Sequence, residues 1–208
     1  MLSAMSEPAL LTLVRHGETR ANLDGVWHGS TDTPLTDRGH QQAQRVANYL
    51  QEHAANAAAI YSSPLQRARH TARAIAQALT LEAIHHEDLR EFDLGSWEGR
   101  TYESLYKDEQ LWDHMKKDPD FAPHGGESPR DVTTRFTSAL RIIAREHPGE
   151  RIVVVAHGGA LSMALADLLD GNYHEWTRVM DNCAVSELVL EPSPKLVSFN
   201  HTDHLQGV

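Results

Sequence analysis

The chain has 208 residues and carries 19 Lys and Arg against 29 Asp and Glu, a formal net charge of −10. That sign excludes holding a nucleic-acid backbone by general electrostatics, no apolar run approaches the about 20 residues of a membrane helix, and a single cysteine, Cys183, excludes an intramolecular disulfide and a thiolate metal cluster. The length suits one domain over residues 9–208 behind a flexible tail at 1–8 that lacks a secretion signal, with a reducing cytoplasm as the expected home.

Residues 10–19, LLTLVRHGET, read as a short apolar strand that ends in Arg15, His16 and Gly17. The C-terminal mouth of a buried strand is where open α/β sheets hold their ligands. Residues 21–34 are rich in Gly, Asp, Asn and Thr, which predicts a loop long enough to fold over a site. Thr36 then caps a helix to about residue 51, with Ala43, Val46, Ala47 and Leu50 on one face. A second strand is expected at 57–62. Arg67 follows at the start of a helix whose apolar stripe is Leu65, Ala68, Ala72, Ile75, Ala76 and Leu79.

A short strand near Ile84 and a turn through Gly95 lead into residues 101–127, an irregular, partly helical segment expected over the site. Ser128 and Asp131 open a capped helix that His147, Pro148 and Gly149 stop. Residues 152–159, IVVVAHGG, repeat the design of the first strand and deliver His157 and Gly158. A helix at 159–169 and two antiparallel strands at 184–190 and 196–199 complete the chain. The apolar run 185–190 is expected at an exposed sheet edge, where it would permit a homodimer. Strands alternating with helices predict an α/β sandwich with a mostly parallel sheet.

Phosphoryl transfer needs an in-line nucleophile, cations around the equatorial oxygens and a proton for the leaving alkoxide. A lone histidine at a strand end is more often structural, but His16 and His157 arrive with Arg15 and Arg67 at strand ends that describe one site if the strands are neighbours. Glu91, Glu18, Asp93 and Glu98 are the carboxylates available as the acid. Trp27 and His28 in the loop either wall the substrate or pack the loop, and Tyr102 joins them as a specificity residue. His85, His86, His201 and His204 read as exposed and incidental. No zinc-protease pattern or acidic calcium loop occurs, so neither a metal nor another cofactor is expected.

Four stretches, LVRHGET, SSPLQRARHTA, LREFDLGSWEG and VVVAHGG, resemble in this order the histidine phosphatase superfamily, also called the phosphoglycerate mutase-like family. The resemblance spans residues 10 to about 190. It implies a three-layer α/β/α sandwich and a small phosphomonoester as substrate. It also implies that His16 is the nucleophile of a phosphohistidine intermediate, that Arg15, Arg67 and His157 line the phosphate pocket with Asn22 close by, and that Glu91 protonates the leaving group. The amides of Gly17 and of helix N-terminal residues such as Gly158 would add donors. The mutases of the family carry a middle insertion with paired arginines. Between Glu91 and His157 there is no adjacent Arg pair, only cations such as Lys116 and Lys117, which favours hydrolysis. The alternatives are a cofactor-dependent phosphoglycerate mutase and a non-catalytic phospho-ligand binder.

Overall fold

The computed structural model describes residues 7–122, 124–173 and 178–208. Six strands form one sheet: β1 (Leu10–Arg15), β2 (Ala57–Ser62), β3 (Ala83–His85), β4 (Arg151–Ala156), β5 (Val185–Val189) and β6 (Lys195–His201), in the order β3-β2-β4-β1-β5-β6. The first four strands of that order run parallel, while β5 is antiparallel to β1 and β6 to β5. The neighbour condition set by the sequence is therefore met: β4 lies between β1 and β2. Register then fixes where the strands stop, with Arg15 opposite Ala156 and Ser62 opposite Val155. His16, Ser63 and His157 thus leave the sheet at one level.

Both faces of the sheet are covered, as apolar residues on both sides of β1, β2 and β4 require. Val14, Ile60, Val153 and Val155 pack in one buried cluster with the apolar faces of α2 (Asp37–His53) and α3 (Gln66–Leu79). On the other face Leu11, Leu13, Ile152 and Val154 share a cluster with residues of α6 (Pro129–Glu146) and α7 (Gly158–Asp170). The three layers and the mostly parallel sheet are those expected. Among the described residues no helix is long and apolar enough to cross a membrane.

Three local details differ from the sequence reading, while the segment 101–127 is partly helical as expected. The stretch 21–34 begins inside a one-turn helix, α1 (Arg20–Leu23), held by a reciprocal Thr19–Asn22 capping box too short to leave a periodic signal. The segment 101–127 holds two defined helices, α4 (Tyr102–Lys107) and α5 (Leu111–Lys117); its Pro123 lies outside the described residues. The apolar run 185–190 is not an exposed edge. β6 covers β5 on that side, and Val185, Leu188 and Leu190 are buried. His204 is not incidental either, for its Nε2 lies 2.9 Å from the carbonyl of Cys183. Of the expected tail at 1–8, residues 1–6 lie outside the described residues.

The start of α2 is pressed against the loop that follows β1. A Cβ on Gly39 would stand 2.1 Å from the Glu18 carbonyl oxygen, and one on Gly17 2.6 Å from the Gly39 carbonyl oxygen. Backbone touches backbone here, so both positions need glycine. This contact sets the height of His16 above the sheet edge.

Candidate active site

A cavity of about 290 Å³ opens where β1 and β4 end. Its floor holds Arg15, His16, Asn22, Gly158 and Glu91, and its outer wall holds Trp27, Tyr102 and Trp112. His28 also lines it, so the loop after the nucleophile motif does face the cavity.

His16 is 2% exposed, and its Nδ1 lies 2.7 Å from the carbonyl oxygen of Gly17. A carbonyl only accepts, so Nδ1 carries the proton and the lone pair sits on Nε2. Among the described residues Nε2 makes no hydrogen bond. Burial, then the guanidinium groups of Arg67 and Arg15, hold the imidazole well below its usual value of 6.5. The ring is therefore neutral at physiological pH, with an unprotonated Nε2 in a side chain that lines the cavity. Beside it the Arg15 Nη1 donates to the Met180 carbonyl at 2.6 Å, while the Arg15 Nε–H is buried and has no partner among the described residues. That donor stands at the N-terminus of α7, 3.0 Å from where a Cβ on Gly158 would be.

Arg67 and His157 do not line the cavity as expected; both have no exposed surface and stand behind His16, because the end of α3 and the mouth of β4 meet inside the fold. The Arg67 Nε donates to His157 Nδ1 at 3.2 Å, and its terminal nitrogens donate to the carbonyls of Thr31 and Gly29 at 2.8 and 2.6 Å. His157 must then carry its proton on Nε2, which donates to Ser63 Oγ at 2.7 Å. Burial lowers Arg67 to about 10, opposed by Glu91, Asp32 and Glu98, so it stays cationic. Burial and Arg67 likewise hold His157 well below 6.5. His28 falls to about 3 through burial and then Arg67 and Arg15, with its Nδ1 2.5 Å from Thr33 Oγ1. Burial, then the charge of Arg67, thus keeps three imidazoles neutral, and Arg67 ties the loop at 28–33 to the sheet.

Glu91 reaches the N-terminus of α7. Its Oε1 accepts from the amides of Phe92 and Ala160 at 2.8 and 2.6 Å, and its Oε2 from Gly159 at 2.8 Å. The competing carboxylates are committed elsewhere. Glu18 takes Thr36 and Arg38. Glu98 accepts from Ser30, Leu94 and Thr31, clasping the loop against residues 94–98. Asp93 caps Gly95.

Behind Glu91 stands a residue the sequence did not single out. Arg135, on α6, donates to the carbonyls of Asp88, Arg90 and Glu91 at 2.8, 2.8 and 2.9 Å and forks onto Glu127 at 2.5 and 2.7 Å. Its spacing on an amphipathic helix looks like that of any surface cation; only the tertiary fold shows that it fastens the chain carrying Glu91. Arg135→Met is expected to cost about 3 kcal/mol, since three carbonyls and a largely buried carboxylate lose their donor together. Urea denaturation checks this. A loss under about 0.5 kcal/mol, the level of an ordinary surface site, would show that the clamp is not needed.

The sequence reading also missed residues 180–184. Asn182 Nδ2 donates to the His16 carbonyl at 3.0 Å and to Asn22 Oδ1 at 3.2 Å, and the Cys183 amide donates to the Arg15 carbonyl at 3.0 Å. This segment lies some 165 residues from Arg15 in sequence, has no periodicity, and could be linked to the site only by the fold.

Known proteins resemble this chain over nearly its whole length. A relative from Cronobacter sakazakii described as a probable phosphoglycerate mutase is 35% identical over 89% of this chain and 87% of its own. An uncharacterized phosphatase of Bacillus subtilis is 30% identical over 94% of this chain and 96% of its own. Among solved structures, the phosphoserine phosphatase of Entamoeba histolytica in complex with 3-phosphoglyceric acid superposes with a TM-score of 0.83 at 33% identity, over 95% of this chain and 99% of that one. The family model for the histidine phosphatase superfamily, branch 1, matches residues 11–202, and the chain belongs to that superfamily.

Proposed function

We propose that the chain is a phosphomonoesterase that hydrolyses small phosphorylated metabolites through a phosphohistidine on His16, without a metal ion. The observation that carries this reading is the His16 side chain itself: neutral, proton fixed on Nδ1, Nε2 unprotonated, lining a cavity beside the unpaired Nε–H of Arg15.

In the first step Nε2 attacks phosphorus and the bond from phosphorus to the ester oxygen breaks. Arg15 and the amide of Gly158, the first of α7, take the charge of the equatorial oxygens, the Gly159 and Ala160 amides being held by Glu91. Glu91 gives a proton to the departing alkoxide. Its Oε2 accepts a single amide, against two for Oε1, and so keeps a lone pair for that proton. In the second step water adds to phosphorus, Glu91 recovers the proton, the N–P bond breaks and inorganic phosphate leaves. Arg67 stays behind the ring and holds the imidazole neutral for attack.

The mutase reading differs only in what meets the phosphohistidine next. The test follows inorganic phosphate and 2-phosphoglycerate together, with p-nitrophenyl phosphate and 3-phosphoglycerate as substrates, in EDTA, with and without 2,3-bisphosphoglycerate. Phosphate release unaffected by EDTA, with no isomer formed, is expected. Loss of activity restored by zinc or magnesium would sink the metal-free reaction, and isomer formation stimulated by the bisphosphate would establish the mutase.

A further inference from the structure

The two ends of the cavity differ in kind. At the floor Arg15 offers positive charge to one phosphate, beside the Gly158 amide. At the other end Trp27 has its ring centroid 5.5 Å from Tyr102 and 6.3 Å from Trp112, making a continuous aromatic wall. Two indoles and a phenol make this wall uncharged at neutral pH.

Cations are missing from that end. Among the described residues Arg15 is the only Lys or Arg lining the cavity, and residues 1–6, 123 and 174–177 contain neither type. The arginines whose sequence neighbours reach the cavity each have a carboxylate of their own: Arg20 with Asp24, Arg100 with Glu109 and Arg178 with Asp170. Lys116, one helical turn beyond Trp112, is exposed and outside the lining. A second anionic group on the substrate would lose hydration against indole and phenol rings with no counter-charge, whereas a flat apolar group gains contact there.

We propose that the leaving group is an uncharged alcohol bearing one aromatic ring, seated on the wall formed by Trp27, Tyr102 and Trp112, and that carboxylate-bearing phosphate esters are disfavoured. This rests on the phosphomonoesterase reading. At about 290 Å³ the cavity is at the small end of ligand pockets, which suits one phosphate and one ring.

Three esters of primary alcohols keep the intrinsic leaving ability similar: 2-phenylethyl phosphate, propyl phosphate and 3-phosphoglycerate. For the full chain kcat/KM should favour 2-phenylethyl phosphate over 3-phosphoglycerate by about tenfold or more, chiefly through KM. The preference for phenylethyl over propyl should fall in Trp112→Leu. The same fall is expected in Tyr102→Ala, a substitution at a site 41% exposed that does not threaten the fold. Equal or better turnover of 3-phosphoglycerate, above all if Lys116→Gln removes it selectively, would overturn the proposal while leaving the phosphatase intact. No phosphate released from any of the three, and no labelled phosphohistidine, would overturn the reading beneath it.

Discussion

His16→Ala is expected to lower turnover of any phosphomonoester by at least about 10⁴-fold, because the covalent path disappears with the nucleophile. No neighbouring group can take its place. His157 has both ring nitrogens engaged, Nδ1 by Arg67 and Nε2 by Ser63. His28 is fixed through Nδ1 to Thr33. Binding of inorganic phosphate should survive within about tenfold, since Arg15 and the Gly158 amide stay in place. The paired measurement is steady-state turnover and calorimetric phosphate binding, with acid quench of the parent enzyme to trap the phosphorylated residue. A variant that keeps more than about one hundredth of parental activity would show that direct attack by water, not His16, carries the reaction.

Acid should unfold this protein more readily than its carboxylates alone would require. His16, His28 and His157 are buried with depressed values, so between the ordinary 6.5 and their lower folded values the unfolded chain binds more protons than the folded one. The sign follows: their contribution is complete above about pH 6.5 and is lost as pH falls, down to about 3 for His28. From pH 7 to pH 5 each group that stays neutral when folded gives up about 2 kcal/mol, hence about 5 to 6 kcal/mol for the three. Half-buried His204 and the more buried His124 act in the same direction. Urea midpoints at pH 7, 6 and 5 measure the effect. A stability that changes by less than about 1 kcal/mol over that range would mean that these imidazoles are protonated in the folded state.

How much of this could be read from the chain depends on where each residue gets its meaning. Arg15, His16 and His157 were legible because a strand is a local pattern, and the residue that ends it points at the sheet edge whatever else the fold does. Which strands are neighbours was not local, so the sequence reading could only make the single site conditional on it, and the sheet order with β4 between β1 and β2 meets that condition. Arg67 was found, but not its depth, since the pattern of α3 gives a face and not the loop that closes over it. Arg135 and Asn182 stayed hidden for one reason: each acts on backbone groups far away in sequence, and nothing in its own neighbourhood distinguishes it from a surface residue. The exposed edge assigned to 185–190 failed because a hairpin partner, not composition, decides which strand is last.

The order of the sheet also governs when the site can exist. β1 is made first, but its partners are β4 at Arg151–Ala156 and β5 at Val185–Val189, so during synthesis the apolar strand that leads to His16 waits for about 140 residues before either edge is paired. Contacts that distant close slowly and late, and until then LLTLV is an open template for other strands. The catalytic centre is consequently a marker of completed folding: activity regained after dilution from denaturant should trail the recovery of helical signal, which the local contacts of α2 and α3 supply early.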